Sequence, residues 1–78
     1  MAIKFTKHAL HVIKLRKIET EEIYDALYNP DKITEDKLGN TIAQKKIGDY
    51  LLRIVYLLEE DTRKIITAYK TSKLSKYK

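Results

Sequence analysis

Hydrophobic and polar positions along the chain form two patterns, with helical spacing before Pro30 and strand-like runs after it. The longest apolar run, Tyr50–Leu58, is interrupted only by Arg53 and is too rich in β-branched and aromatic residues for a helix. A strand that is apolar on both faces predicts a central position in a sheet. We therefore expect Arg53 either to pair with a carboxylate or to serve a face of the sheet where a cation is useful.

The first part of the chain predicts a short strand and two helices. Ile3–Phe5 alternates as a strand does, and Thr6 is a candidate N-cap for a helix over Lys7–Arg16. A second helix is predicted over Ile18–Asn29, because its acidic first turn suits the helix dipole. Pro30 ends this helix, since proline disfavours helical geometry in the residue before it.

After Pro30 the pattern predicts four strands, over residues 31–38, 41–47, 50–58 and 63–70. Gly39-Asn40 and Gly48-Asp49 predict two tight hairpin turns, and Glu59–Thr62 predicts a third, looser one. The expected fold class is α+β: a short N-terminal strand, two helices, and a four-strand antiparallel meander with the helices packed on one face. Residues 1–70 are expected to form a single domain, followed by a basic tail over residues 71–78.

The turn assignments predict which side chains surround Arg53. A two-residue Gly48-Asp49 turn places Gln44 directly opposite Arg53 in the neighbouring strand. Unbroken pairing with the last strand would place Ala68 on the other side of Arg53 and Lys70 further along the same face, with Tyr69 on the opposite face. A two-residue Gly39-Asn40 turn would place Glu35 opposite Gln44. Glu35 or Asp36 is therefore the predicted carboxylate partner, and substrate binding by Arg53 is the alternative.

Charge is segregated along the chain, which has a formal net charge of +5. Residues 1–17 contain five basic residues and no acidic one, whereas residues 18–36 contain seven acidic residues and a single lysine. The basic ends are typical of a protein that binds RNA or DNA, and a lysine-rich solvated surface is the alternative. The absence of cysteine, of a signal peptide and of a membrane-spanning run predicts a cytoplasmic protein without membrane partners.

The candidate chemistry is acid–base catalysis on a phosphodiester. His8 and His11 lack an accompanying metal-binding motif, so we expect no metal and no other cofactor. Metal-free RNA cleavage needs a base, an acid and cations around the phosphorane. The candidate catalytic residues are His8, Arg16, Arg53 and Tyr69, and the candidate RNA-binding residues are Lys46, Lys70, Lys73 and Lys76.

Each candidate also has a structural alternative. His8 could bond a backbone group at the start of its helix, and Arg16 could satisfy carbonyl groups at the end of the same helix. Tyr69 could simply pack in the core, and the terminal lysines could be solvated.

Several short motifs resemble a small toxin-like domain family related to the RelE/ParE and BrnT ribonuclease toxins of the barnase–colicin–RelE class. They are Thr6-Lys7-His8-Ala9, Arg16-Lys17-Ile18, Glu21-Glu22-Ile23 with Asn29-Pro30, and Ile66–Lys73. The resemblance implies a RelE-like fold, metal-independent ribonuclease activity and an antitoxin partner that covers the active face. It assigns the family's motif positions to His8, Arg16 and the segment Tyr69–Ser72.

The chain departs from that family at two positions. Val12 stands where the family usually has an arginine, and Lys17 stands where it commonly has a glycine. The first departure leaves fewer cations to hold a phosphate.

The sequence thus supports three hypotheses: an endoribonuclease toxin, a catalytically inactive RNA- or protein-binding module on the same fold, and a structural homo-oligomer such as a homodimer.

Overall fold

The computed structural model of the protein describes residues 2–72, so the predicted tail from Lys73 onward lies outside the described residues. Over these residues the fold is α+β, as predicted, with two helices and five strands. Its elements in chain order are β1 (Ala2–Phe5), α1 (Lys7–Leu15), α2 (Thr20–Tyr28), β2 (Lys32–Glu35), β3 (Thr41–Ile47), β4 (Tyr50–Glu59) and β5 (Thr62–Thr71). Neither helix is long and apolar enough to cross a membrane.

The strands form one mixed sheet in the order β1-β5-β4-β3-β2. Strands β2 to β5 pair antiparallel with their neighbours, but β1 pairs parallel with β5, from Ala2 opposite Thr62 to Phe5 opposite Ile65. The prediction of a four-strand antiparallel meander was therefore wrong about the composition of the sheet. Periodicity identified β1 as a strand, but it carries no information about which edge that strand joins.

Both helices pack on one side of the sheet, which we call the helix face. The main core lies between the helices and the sheet. It consists of buried residues from both layers: Ala9, Ile18, Ile23, Ala26, Leu27, Ala43, Leu52, Ile54, Tyr56, Ile65 and Ala68. Complete burial of one such aliphatic side chain stabilises the fold by about 1.5–3 kcal/mol. We call the opposite side of the sheet the second face.

The two helices are fixed at their ends by local hydrogen bonds. The Thr6 hydroxyl accepts a 3.0 Å hydrogen bond from the Ala9 N–H, which confirms the predicted N-cap. Helix α1 ends at Leu15 and is followed by its C-cap Arg16 and by Lys17, whose φ is 55°. The Ile18 N–H donates a 3.0 Å bond to the Ile13 carbonyl. This is the Schellman arrangement that closes many helices. Helix α2 begins with a capping box formed by Glu19 and Glu22.

A β-bulge between β4 and β5 changes the register predicted for the last strand. Leu58 lies opposite Arg63 as expected, but the pairing shifts by one residue between Val55 and Tyr56. Beyond the bulge, Arg53 lies opposite Tyr69 instead of Ala68. The extra residue therefore moves Tyr69 to the second face and Lys70 to the helix face, because neighbouring side chains of a strand point to opposite sides.

The loop between β2 and β3 is longer than the predicted two-residue turn. One oxygen of the Asp36 carboxylate accepts hydrogen bonds of 2.9 Å from the N–H groups of Leu38 and Asn40, and the Asp36 N–H bonds the Asn40 carbonyl. As a result Glu35 lies opposite Thr41 rather than Gln44. The Gly48-Asp49 turn has the predicted two residues, and Gln44 lies opposite Arg53 as expected.

Candidate functional site

A row of four side chains crosses the second face from one strand to the next. Lys32 of β2 lies opposite Gln44 of β3, Gln44 lies opposite Arg53 of β4, and Arg53 lies opposite Tyr69 of β5. Neighbouring strands are about 4.8 Å apart, so adjacent members of this row are within reach of each other. The row brings two predicted catalytic residues, Arg53 and Tyr69, into one place. We call it the central row.

Arg53 is buried among apolar neighbours on the second face. Only 8% of Arg53 is exposed, and Leu51 and Val55 on either side of it along β4 are also buried. Its guanidinium carbon lies 5.7 Å from the centroid of the Tyr69 ring, which is the distance of a cation–π contact. A charge in such surroundings is weakly screened by water, so its field at the surface is stronger than that of a solvated lysine.

The predicted carboxylate partners of Arg53 are not beside it. Glu35 faces the helix side, because it pairs with Thr41, and Thr41 pairs with Tyr56 of the core. Asp36 is held in the β2–β3 loop, where its two oxygens accept bonds from Leu38 and Asn40. The salt bridge between Arg53 and Glu35 or Asp36 was therefore a wrong prediction. It failed because the loop is longer than a two-residue turn.

The two faces of the sheet differ in charge. Among the described residues, the strand positions on the second face carry five basic side chains and one acidic one: Lys4, Lys32, Lys46, Arg53, Lys64 and Glu59. The acid is at a corner, where Glu59 lies 3.9 Å from Lys64. The acidic helix α2 lies on the other face, so its carboxylates do not neutralise this surface.

The acidic residues of α2 instead pair with lysines of the helix face. Lys70 lies 3.2 Å from Glu22, and Lys45 lies 3.6 Å from Asp25. Lys70, a predicted RNA-binding residue, is therefore separated from Arg53 by the thickness of the sheet. Its predicted position on the same face as Arg53 was wrong because of the bulge.

Arg16 lies at the edge of the sheet, next to the central row. Its Nη1 donates a 2.7 Å hydrogen bond to the carbonyl oxygen of Ala68, the residue before Tyr69. A carbonyl-binding arginine was the structural alternative, although the carbonyl belongs to β5 rather than to the end of its own helix. Helix α1 lies along the part of β5 that extends beyond β1, as the 3.4 Å bond from the Thr6 hydroxyl to the Ile66 carbonyl also indicates.

His8 is exposed and lies in the first turn of α1, whereas Arg16 lies at the end of that helix. It precedes Arg16 by eight residues of α1, which corresponds to about 12 Å along a helix. Val12, which stands where the resembling family usually has an arginine, is buried with 5% of its surface exposed. The structure thus places Tyr69 beside Arg53 and Arg16 at the edge of β5, where it binds the residue before Tyr69. Predicted residues Lys73 and Lys76 lie outside the described part of the chain.

Two lysines lie at one end of the central row: Lys32, which is its first member, and Lys46, which is two residues from Gln44 on the same face. Lys46 was predicted as an RNA-binding residue, and it faces the second side opposite Leu51. Lys32 was not predicted as a site residue, because the assumed turn gave β2 the wrong register. One sequence signal could have indicated the correct loop: Asp36 is followed three residues later by Gly39, a spacing that favours a type I turn. Within residues 2–72, no group of three or more acidic or histidine side chains is placed to hold a metal ion.

Comparison with known proteins identifies one family. A family model described as a domain of unknown function, DUF4258, matches residues 5–70. The matched range includes both helices and strands β2, β3 and β4, together with nearly all of β5. Neither a curated protein nor a solved structure matches the chain. Since the model covers well over half of its length, the chain belongs to the DUF4258 family of domains of unknown function.

Proposed function

We propose that this domain binds RNA through the second face of its sheet, with the central row in the middle of the contact. The observation that carries the proposal is the concentration of cations on this face around a buried arginine. Exposed Lys32 and Lys46 would contact phosphate groups directly, while Arg53 would add its field from below. We choose RNA over other polyanions because of the resemblance to ribonuclease toxins. The same resemblance makes a RelE-like form of the α+β fold part of this proposal.

Metal-independent RNA cleavage, as in a toxin of a toxin–antitoxin-type system, is the second candidate function. It is favoured by the position of Tyr69. The Tyr69 ring lies beside the Arg53 guanidinium, and Tyr69 directly follows Ala68, whose carbonyl accepts a hydrogen bond from Arg16. In this mechanism the Tyr69 hydroxyl transfers a proton to or from the reacting oxygens, and Arg53 stabilises the charge that develops on the phosphorane. This mechanism gives His8, which lies near the start of α1, no role.

RNA binding is tested by the salt dependence of affinity for a labelled single-stranded oligoribonucleotide. Each lost phosphate contact lowers the slope of log K against log salt by roughly one. The Lys32→Gln/Lys46→Gln variant should therefore lower the slope by about two and weaken binding. The matched control, Lys14→Gln/Lys37→Gln, removes the same charge from other exposed sites and should leave the slope nearly unchanged. Equal losses in both variants would contradict the second face as the binding surface.

Cleavage is tested separately with the same oligoribonucleotide in the presence and absence of EDTA. We expect products in both conditions, and the Tyr69→Phe variant should retain binding but lose cleavage, because the ring stays and only the hydroxyl is removed. Binding without products from the wild-type chain would leave the binding proposal standing and exclude the catalytic one.

A further inference from the structure

The outer surface of α1 presents a basic ridge with an exposed leucine on each side. Lys7, His11 and Lys14 are spaced by four and three residues, so they lie along one line of the helix. Leu10 and Leu15 flank this line and expose 55% and 68% of their surface. We call these five residues the α1 ridge. It is distinct from the second face, so the inference below does not depend on RNA binding there.

The charge of the α1 ridge is not balanced within the described chain. Within residues 2–72, Lys7 and Lys14 form no salt bridge, whereas Lys45, Lys64 and Lys70 each pair with an acid. Residues 1–17 contain no acidic side chain that could approach by local movement. A surface that keeps its positive charge exposed in this way is electrostatically complementary to an acidic partner.

The leucines decide which class of acidic partner fits. A nucleic-acid backbone would contact the lysines but would leave Leu10 and Leu15 exposed to water. A protein segment with both acidic and apolar side chains would neutralise the lysines and bury the leucines at the same time. His11, Lys14 and Leu15 also line a surface groove beside the helix, which offers a place for an apolar side chain.

We infer that the α1 ridge is a docking site for an acidic amphipathic segment of another protein. The carboxylates of this segment would pair with Lys7 and Lys14, which are two helical turns apart. The apolar side chains of the segment would pack on Leu15 and in the adjoining groove. Helix α2 of this chain is an example of such a segment: its acidic side chains pair with lysines while Ile23 and Leu27 are buried.

The test uses the isotope-labelled full chain and a synthetic peptide of about 15 residues, long enough to form an isolated helix, with glutamates on one side and leucines on the other. Amide chemical shifts report where the peptide binds. We expect the changes to be concentrated in Lys7–Leu15. An oligoribonucleotide is titrated in parallel. If the oligoribonucleotide shifts these amides and the peptide does not, the inference is overturned in favour of nucleic acid.

The chain contains a matched control for the peptide experiment. The dipeptide Lys14-Leu15 lies on the ridge, and the same dipeptide, Lys37-Leu38, is exposed in the β2–β3 loop. The Lys14→Glu/Leu15→Ser variant should weaken peptide binding by about tenfold or more, the scale expected for one exposed ion pair and one partly buried leucine. The Lys37→Glu/Leu38→Ser variant should bind as the wild type does. Equal affinities for the two variants would overturn the inference.

Discussion

Lysine 17 adopts a backbone conformation that suits glycine better than lysine. Its φ of 55° lies in the left-handed region, where a Cβ atom costs about 1–2 kcal/mol. The position closes α1 and turns the chain so that Ile18 enters the core.

The Lys17→Gly variant should be more stable than the wild type by about 1 kcal/mol, because it relieves this strain. The urea midpoint, with its slope unchanged, measures the effect. As a control, Lys14→Gly places glycine within the exposed surface of the same helix, where it should destabilise by about 1 kcal/mol. A lower midpoint for both variants would contradict the strain at position 17.

Asp36 orders the loop that sets the register of β2. The backbone N–H of Asn40, followed by the Asn40 side chain and the N–H groups of Leu38 and Gly39, lowers the pKa of the Asp36 carboxyl below its usual 3.8. A carboxyl whose pKa is depressed by folding stabilises the folded state above its unfolded pKa, and this stabilisation is lost as the pH falls through the folded pKa.

The Asp36→Asn variant removes the charge and keeps an acceptor oxygen. We expect the wild type to be more stable at neutral pH, and the difference in unfolding free energy to shrink as the pH is lowered below 3.8. Denaturant unfolding at a series of pH values measures this difference. A difference that did not change with pH would exclude the charge as its source.

At the level of elements, α1 protects the edge of β5. Strand β1 covers only the first part of that edge, from Thr62 to Ile65, and α1 lies along the next residues. The bonds from Thr6 to the Ile66 carbonyl and from Arg16 to the Ala68 carbonyl satisfy groups that an edge strand would otherwise present to other chains. Arg16 therefore contributes to the fold whether or not it also contacts RNA.

The Arg16→Ala variant should destabilise the domain by about 1 kcal/mol, the net contribution of one hydrogen bond. Lys14→Ala, in the same helix, removes a lysine that makes no salt bridge within residues 2–72 and should change stability little. Thermal unfolding compares the two. Equal stabilities would show that the bond to Ala68 contributes nothing measurable.

At the level of the whole molecule, the distribution of charge over the two faces should affect stability. The chain has a net charge of +5, and the acids of α2 are paired on the helix face, so they do not offset the repulsion among the cations of the second face. Repulsion between exposed cations weakens the compact state, and bound polyanions would relieve it.

Raising the ionic strength from about 0.01 M to about 0.15 M, which shortens the Debye length from about 30 Å to about 8 Å, should raise the melting temperature. The gain should be smaller for Lys32→Gln/Lys46→Gln than for Lys14→Gln/Lys37→Gln, although both variants have the same net charge. A gain that followed net charge alone would contradict the clustering of repulsion on the second face.

Some features of this protein follow from local sequence. The N-cap at Thr6, the end of the second helix before Pro30 and the two-residue turn at Gly48-Asp49 were predicted because each depends on the conformational preferences of adjacent residues. The two-residue turn then fixed the register that places Gln44 opposite Arg53. These features were within reach because every interaction involved is between near neighbours in the chain.

Other features were decided by tertiary structure. A bulge near Val55 placed Tyr69 beside Arg53 and moved Lys70 to the opposite face. The longer β2–β3 loop placed Lys32, instead of Glu35, opposite Gln44. Neither change is visible in the hydrophobic pattern of the strands. Each still moves side chains to the other face of the sheet, because successive residues of a strand point to opposite faces. The sequence by itself thus determined the helices and strands, and it placed one charged residue, Arg53, within the apolar strand Tyr50–Leu58. Strand pairing in the folded protein decided that Tyr69 and Lys32, rather than Ala68 and Glu35, lie in the same row as Arg53.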